Sequence, residues 1–166
     1  SDTKACIAQS QYPKSVYIKR MAAVEHEASF VERVESEGVC VLHFSLAGEL
    51  SNEEWKRYIR LFDATLSRMK ERGEKEGDKK FVILVMDVLA LTNIKMSRLI
   101  SQAMMNIKHR GTIKKWFIGS VVVLSDKGVT WLERISRIAP PKAKLLCIKT
   151  SEGIEEAIEL LKSDGE

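Results

Sequence analysis

The residues of this chain that are best placed to do chemistry follow one apolar run at 81–86. The run is short and rich in β-branched side chains, which is typical of a strand buried on both faces. It ends at Asp87, and a short connection leads to apolar positions at helical spacing. In a parallel sheet, functional sites usually lie at this end of the strands. Asp87 is therefore a candidate site residue, or else a strand-ending acid that bonds to loop N–H groups.

The connection after Asp87 has the chemistry of an anion or phosphate site. Its candidate partner or ligand residues are Thr92, Asn93, Lys95, Met96, Ser97 and Arg98. The free N–H groups and the dipole of a helix N-terminus favour an anion, and Lys95 and Arg98 add positive charge. Ser97 is a possible phosphorylation site, because a phosphate at a helix N-terminus is stabilised by roughly 0.3–1 kcal/mol. The structural alternative is that Asn93 or Ser97 only caps the helix.

The sequence contains no evident catalytic or metal-binding constellation. Cys6, Cys40 and Cys147 are far apart and lack the spacing of a zinc site. The three histidines are scattered, and there is no G-x-S-x-G turn, dinucleotide-binding glycine motif or Walker loop. We therefore predict no catalytic residue, no metal and no cofactor. An enzyme would need Glu49, Asp87 or a histidine to converge in one cleft.

The composition is that of a globular protein whose surface carries charges of both signs. The chain has 166 residues, a net charge of +4 and 45% hydrophobic residues, which suits one domain with a real core. The small positive excess disfavours a nucleic-acid partner. No stretch approaches the roughly 20 apolar residues of a membrane-spanning helix. An odd cysteine count without a signal peptide indicates a cytoplasmic location.

Strand and helix patterns alternate after an initial hairpin. Strands are predicted at 30–35, at the sheet edge, and at 39–44. Ser51 and Glu54 form a capping box for a helix that ends near Gly73. The remaining elements are a strand at 81–86, a helix at 96–107 ended by Gly111, a strand at 116–124, a helix at 125–138, a strand at 144–148 and a helix from 151. This β-β-α-β-α-β-α-β-α order predicts an α/β fold with a mixed, mostly parallel sheet.

The domain boundaries follow from where these patterns begin and end. Residues 1–27 show no sustained period, and we expect a flexible extension or a cloning remnant there. A single domain is expected at 28–162, with a tail at 163–166.

Two groups of residues allow more than one interpretation. The basic run at 108–110, with 114–115, suits an acidic lipid or RNA, or simply a solvated helix end. The second group consists of flexible and aromatic apolar residues: Met96, Met104, Met105, Trp116 and Trp131. It suits an adaptable pocket or partner surface, or an ordinary core. Any exposed part of it would be a docking patch.

The element order and three short stretches resemble the STAS domain, the fold of bacterial anti-sigma-factor antagonists and of sulphate-transporter tails. The stretches are Leu46-Ala47-Gly48-Glu49-Leu50, Val85-Met86-Asp87-Val88-Leu89-Ala90-Leu91 and Glu155-Glu156-Ala157-Ile158-Glu159-Leu160-Leu161. They are similar to the turn after the hairpin, the end of the central strand and the closing helix of that family. The resemblance covers roughly residues 28–162 and implies a SpoIIAA-like sheet.

The phosphorylation motif of this family is not retained. In the antagonists the loop closes with Asp-Ser-Ser/Thr-Gly, and a hydroxyl there is phosphorylated. The corresponding stretch is Lys95-Met96-Ser97-Arg98, in which Ser97 is the nearest hydroxyl. The chain therefore resembles the divergent SpoIIAA-like group, which is also similar to the lipid-binding CRAL-TRIO fold.

Two functions are expected from these patterns. The first is a non-enzymatic regulatory or protein-interaction module, which docks a partner protein or a second copy through the loop and helix from Asn93 to Met105. The alternative is a domain that binds a small apolar ligand or a lipid in a pocket beneath the helices. An enzyme has the least support.

Overall fold

A six-stranded sheet forms the centre of the computed structural model, which describes residues 28–164 and the backbone of 16–20. The strands lie in chain order as β1 (Val16–Arg20), β2 (Ala28–Val34), β3 (Cys40–Leu46), β4 (Val82–Asp87), β5 (Phe117–Val123) and β6 (Lys144–Ile148). The first three strands are antiparallel, and β3 to β6 are parallel. The predicted mixed α/β sheet with an N-terminal hairpin is thereby confirmed.

The hairpin of β2 and β3 is closed by a glycine turn. The Glu35 N–H donates to the Val39 carbonyl at 2.8 Å, and Gly38 has a φ of 82°, which favours a residue without a Cβ. The prediction that β2 is an edge strand was wrong, because β1 pairs along its other side, with Val16 opposite Arg33. The expectations for residues 1–15, 21–27 and 165–166 lie outside the described residues.

Five α-helices accompany the sheet in the part of the chain that the structure describes. They are α1 (Asn52–Glu76), α2 (Met96–Lys108), α3 (Arg110–Trp116), α4 (Asp126–Ile138) and α5 (Ile154–Asp164), with a 3₁₀ turn at Ser151–Gly153 before α5. The predicted capping box is present: Ser51 Oγ accepts from the Glu54 N–H at 3.2 Å, and Glu54 Oε1 accepts from the Ser51 N–H at 3.0 Å. Helix α5 extends into the residues expected to form a tail.

Helix α1 does not end at Gly73 as predicted. The helix continues to Glu76, and a Cβ at Gly73 would overlap the ring of Trp116. Glycine at 73 therefore allows α1 and α3 to pack closely. The C-cap is Gly77, which has a φ of 104° and accepts a hydrogen bond from Trp116 Nε1 at 3.0 Å.

The segment between α2 and β5 also differs from the prediction. Gly111 lies inside α3 and does not end α2, and β5 begins at Phe117, after Trp116. The His109 carbonyl accepts from the Ile113 N–H at 3.0 Å, so helical bonding resumes at once. His109 is buried and contacts Asp63 Oδ1 through Nε2 at 2.7 Å, which fixes this junction on α1.

The face of the sheet covered by α1 to α4 is built around aromatic side chains. The Phe44 ring lies 4.6 Å from Phe30, 5.8 Å from Tyr58 and 5.5 Å from Phe62, centroid to centroid. Offset and edge contacts at these distances suit the ring quadrupoles. The apolar side chains of α1 therefore belong to the core.

Helix α5 covers the opposite face. Its apolar residues Ile154, Ala157, Ile158 and Leu161 recur at helical spacing and are buried. They pack on aliphatic side chains of three strands: Val41, Ile83, Val85, Val121 and Val123. The sheet thus has two separate cores, and the loop after β4 lies where α2 enters the first of them.

Candidate functional site

Asp87 ends β4 and is held by two hydrogen bonds. Its Oδ1 accepts from the Leu89 N–H at 3.1 Å, and its Oδ2 accepts from Ser151 Oγ at 3.1 Å. The first bond stabilises the turn after the strand, and the second ties the strand to the 3₁₀ turn before α5. These are the contacts of a structural, strand-ending acid.

The loop after Asp87 is anchored at one end and exposed at the other. Its Thr92 N–H donates to the Gly48 carbonyl at 3.0 Å, and Gly48 N–H donates to the Ala90 carbonyl at 2.9 Å. The loop therefore runs beside the turn that follows β3. Beyond this point Asn93 and Lys95 are exposed, while Ile94 is half-buried.

Arg98 does not present its charge to solvent. The side chain is 7% exposed. Its guanidinium donates to the Leu50 carbonyl at 2.5 Å and to Asn52 Oδ1 at 3.0 Å, and it lies 5.7 Å from the ring of Trp55. Arg98 thus fastens the start of α2 to the start of α1, which leaves Lys95 as the cation of the loop that faces outward.

The N-terminus of α2 has no side-chain cap. Lys95 is the N-cap residue and makes no capping hydrogen bond through its side chain. The expected alternative, in which Asn93 or Ser97 caps the helix, was wrong. Ser97 is exposed in the first turn, where a helix favours negative charge.

Three large apolar side chains stand in line on the outer face of α2. Met96, Ile100 and Met104 are 49%, 44% and 51% exposed, and their spacing of four residues places them along one side of the helix. We call these three residues the α2 ridge. Leu89, in the loop before α2, is also 37% exposed.

The buried face of α2 is partly polar. Alongside Leu99 and Ala103 it carries Arg98 and Gln102. Tyr58 donates its hydroxyl proton to Gln102 Oε1 at 2.5 Å, and burial raises the pKa of that hydroxyl far above its usual range. Met96, Ile100 and Met104 also recur at helical spacing in the sequence, but they lie outside this buried face and form the α2 ridge.

An apolar cavity of about 170 Å³ lies between the sheet, α2 and α4. Its lining is mainly aliphatic and aromatic, and includes Met86, Leu99, Trp131, Leu132 and Ile135. The group of methionines and tryptophans that the sequence singled out is therefore divided: Trp131 lines the cavity, whereas Met96 and Met104 lie on the surface.

Loose packing of α4 creates this cavity. Gly128 is the one buried residue of the helix, while Trp131, Leu132 and Ile135 are half-buried and Ile138 is 43% exposed. An amphipathic helix normally presses such residues against the sheet. The space beneath α4 agrees with the expectation of a pocket under the helices.

A histidine and a serine meet on the α5 side of the sheet, which sequence reasoning missed. Ser45 Oγ lies 3.3 Å from His43 Nε2, and Ser45 is the register partner of Asp87 on β4. Burial lowers the pKa of His43, although the charge of Asp87 opposes this effect. Residues that are two positions apart on one strand have their side chains on the same face. This spacing of His43 and Ser45 was the signal in the sequence that could have indicated the pair.

Other kinds of site are limited by what the described residues contain. Within residues 28–164, no three His, Cys, Asp or Glu side chains are grouped so as to hold a metal ion. In the same part of the chain, no helix is both long and apolar enough to cross a membrane. Cys40 is buried and Cys147 is exposed, and both are free thiols.

Three solved structures are similar to most of this chain. A protein of the DUF3478 family with a SpoIIAA-like fold from Shewanella loihica PV-4 matches with a TM-score of 0.54 at 16% identity, over 85% of this chain and 98% of that one. An anti-sigma factor antagonist from Mycobacterium paratuberculosis matches with a TM-score of 0.42 at 16% identity, over 89% and 97% of the two chains. SiaC of Pseudomonas aeruginosa matches with a TM-score of 0.44 at 13% identity, over 80% and 99%.

Neither a scan against protein-family models nor a search of curated proteins finds a match. The similarity to the Shewanella structure confirms the SpoIIAA-like fold that the sequence resemblance implied.

Proposed function

We propose that this chain is a non-enzymatic, cytoplasmic regulatory module, formed by residues 28–162, that binds a partner protein through the α2 ridge. One observation carries the proposal. Helix α2 exposes Met96, Ile100 and Met104 while it buries Arg98 and Gln102. Exposed apolar side chains that form a contiguous patch commonly mark interaction surfaces, and methionine suits an adaptable one.

The charge around the ridge describes the partner. Helix α2 has no acidic residue, and the exposed Lys95 lies at its N-cap. A partner with an apolar strip flanked by carboxylates would complement it. The α2 of a second copy of this chain would offer no carboxylate to pair with Lys95, so the proposal is a different protein and not self-association.

Ser97 gives this surface a means of control. It is exposed beside Met96, in a turn whose free N–H groups stabilise a phosphate. Phosphorylation would place about two negative charges at the edge of the ridge. These charges would repel an acidic partner, so modification of Ser97 is proposed to weaken docking.

Charged substitutions on the ridge test the proposal. A photo-crosslinking residue at Met104 should capture the partner in lysate from the source organism, with the contact mapped to a peptide that carries acidic residues. Ile100→Glu should weaken capture by roughly tenfold or more, since burying such a side chain contributes about 1.5–3 kcal/mol. Ser97→Asp should weaken it in the same direction.

Leu160→Glu is the matched control. Leu160 is 54% exposed on α5, across the sheet from the ridge, so its substitution should leave capture unchanged. Equal binding by Ile100→Glu and the unmodified chain would refute the ridge as the docking site. If cross-links formed only between copies of this chain, the ridge would mediate self-association and the proposal of a different partner protein would be wrong.

The cavity favours a second candidate function, the binding of a small apolar molecule. Its volume of about 170 Å³ is close to that of an engineered apolar cavity of about 150 Å³ that stays dry and binds benzene. Organic extraction of the purified protein followed by mass spectrometry should recover a stoichiometric apolar compound. Absence of any bound compound, together with no uptake of added apolar probes, would remove this candidate.

A further inference from the structure

A basic groove adjoins the apolar cavity. It has a volume of about 420 Å³, and its charged residues are Arg110, Lys114 and Lys142, with no acidic side chain in its lining. Arg110 and Lys114 belong to α3, and Lys142 follows α4. Positive charge from two separate segments thus converges on one concave surface.

Within the described part of the chain, the cations of the groove differ from the neighbouring Lys108 and Lys115 in having no carboxylate partner. Lys108 lies 2.8 Å from Asp63, and Lys115 lies 3.4 Å from Asp78, nitrogen to oxygen. Among residues 28–164, the salt bridges include none formed by Arg110, Lys114 or Lys142. The charges of Arg110, Lys114 and Lys142 are therefore not neutralised by a carboxylate in the described part of the chain, and a groove with such a lining favours an anion.

The groove and the cavity share part of their walls. Asn106 on α2 and Ala139, Pro140 and Lys142 after α4 line both. The apolar cavity thus borders the positively charged groove, with Lys142 in the wall of both. Ligand pockets typically combine an apolar body with a few convergent polar groups in this way.

We propose that the cavity and the groove form one binding site for a small anionic amphiphile. The apolar body of the ligand occupies the cavity beneath α4, and its carboxylate or phosphate headgroup lies between Arg110, Lys114 and Lys142. Arg110 can hold either headgroup with two parallel hydrogen bonds. The inference rests on the second candidate function, to which it adds the charge of the ligand and the place of its headgroup.

Calorimetric titration with three ten-carbon probes tests the proposal: decanoate, decyl phosphate and decanol. Both anions should bind more tightly than decanol, and added salt should weaken the anions alone. Arg110→Ala with Lys114→Ala should lower the affinity for the preferred anion by roughly tenfold and leave decanol unchanged. Both side chains are exposed, so the variant should fold, which circular dichroism would check.

Lys115→Ala is the matched control, because Lys115 is adjacent in sequence but pairs with Asp78 and lies outside the groove. It should bind all three probes as the unmodified chain does. Methyl shifts of Leu132 and Ile135 in NMR spectra should move with every probe that binds, because both line the cavity.

The outcomes distinguish a failure of the apolar-ligand function from a failure of the proposed anionic headgroup site. If no probe binds, the apolar-ligand function itself fails. If decanol binds as tightly as the anions and the groove variant changes nothing, the cavity function stands and the anionic headgroup is refuted. If anionic phospholipid vesicles bind through Arg110 and Lys114 while decanoate and decyl phosphate do not, the groove contacts a membrane surface and the proposed site is overturned.

Discussion

Arg98 shows how a residue can change role between the sequence and the fold. Its position in a basic loop suggested a surface cation for an anion. In the structure its guanidinium is buried and bonds to the Leu50 carbonyl and to Asn52. These partners lie 48 and 46 residues away in the chain, so local spacing carries no information about them.

Replacing Arg98 should therefore cost stability and not only surface charge. We expect Arg98→Met to lower the free energy of unfolding by about 1.5–3 kcal/mol, because the buried Leu50 carbonyl loses a charged donor. Urea unfolding followed by circular dichroism measures this change. Lys95→Met, at an exposed position three residues earlier, should change stability by less than about 0.5 kcal/mol. Equal losses in the two variants would contradict the structural role of Arg98.

At the scale of elements, the sequence predicted where α2 lies but not which side of it faces the core. Its apolar residues span a stripe too wide to be buried whole. Leu99 and Ala103 face inward, while Arg98 and Gln102 take further inner positions because Leu50 and Tyr58 supply their partners. Tertiary hydrogen bonds therefore decide the rotation of the helix, and they leave the α2 ridge outside.

An ionic network fastens α5 to the β2–β3 hairpin. Lys162 contacts Glu35, whose side chain is 1% exposed, and lies 2.9 Å from Glu37 and 3.1 Å from Glu159. Burial alone would lower the pKa of Lys162, but these three carboxylates raise it above its usual range. Lysine 162 therefore stays charged throughout the neutral range and compensates the buried Glu35.

Replacing Lys162 should destabilise the fold, because the carboxylate of Glu35 is buried. We expect Lys162→Met to lower the free energy of unfolding by about 3 kcal/mol, because the buried Glu35 loses its nearer cationic partner and keeps the more distant Arg33 guanidinium, at 3.4 Å. Glu159→Gln, which removes the 60% exposed acid of the same network, should cost less than about 0.5 kcal/mol. Adding Glu35→Leu to Lys162→Met should restore much of the loss in a denaturant titration. A double variant as unstable as Lys162→Met would contradict this account.

At the scale of the whole molecule, the alternation of patterns predicted the sheet because parallel neighbours require crossover helices. Three features depended on contacts that spacing does not encode. Strand β1 is defined by its pairing with β2, and the continuation of α1 through Gly73 by its packing on Trp116. The cavity depends on the distance between α4 and the sheet, which no sequence pattern specifies.

The free energy of unfolding should fall with decreasing pH in two separate pH ranges, each governed by different titrating side chains. Hydrogen bonds from Ser36 and Lys162 lower the pKa of Glu37 from 4.5 to about 2, and Lys108 and His109 lower the pKa of Asp63 from 3.8. A carboxylate whose pKa is lowered by folding stabilises the fold at any pH above its pKa in the unfolded chain. This contribution is lost as the pH falls toward the pKa of the folded state. The stabilising contributions of both acids are therefore lost mainly below about pH 4.5.

In the pH range above the one in which these acids titrate, we assign the pH dependence of stability to His43. Its pKa is lowered from 6.5, first by burial and then by Arg33, while Asp87 and Glu155 oppose the shift. The folded state thus binds a proton less readily than the unfolded chain, so the stabilising effect of the neutral imidazole is complete above pH 6.5 and declines below it.

We therefore expect the free energy of unfolding to fall between pH 7 and pH 5, by at most about 1.4 kcal/mol per pH unit for this one proton. His43→Leu should abolish that slope, whereas Ser45→Ala, which removes the hydroxyl 3.3 Å from His43 Nε2 but keeps the imidazole, should retain it. Urea titrations at half-unit intervals of pH would measure all three curves. A slope that survives in His43→Leu would assign the proton to another group and refute this explanation, because the carboxylates of Glu37 and Asp63 do not titrate in that interval.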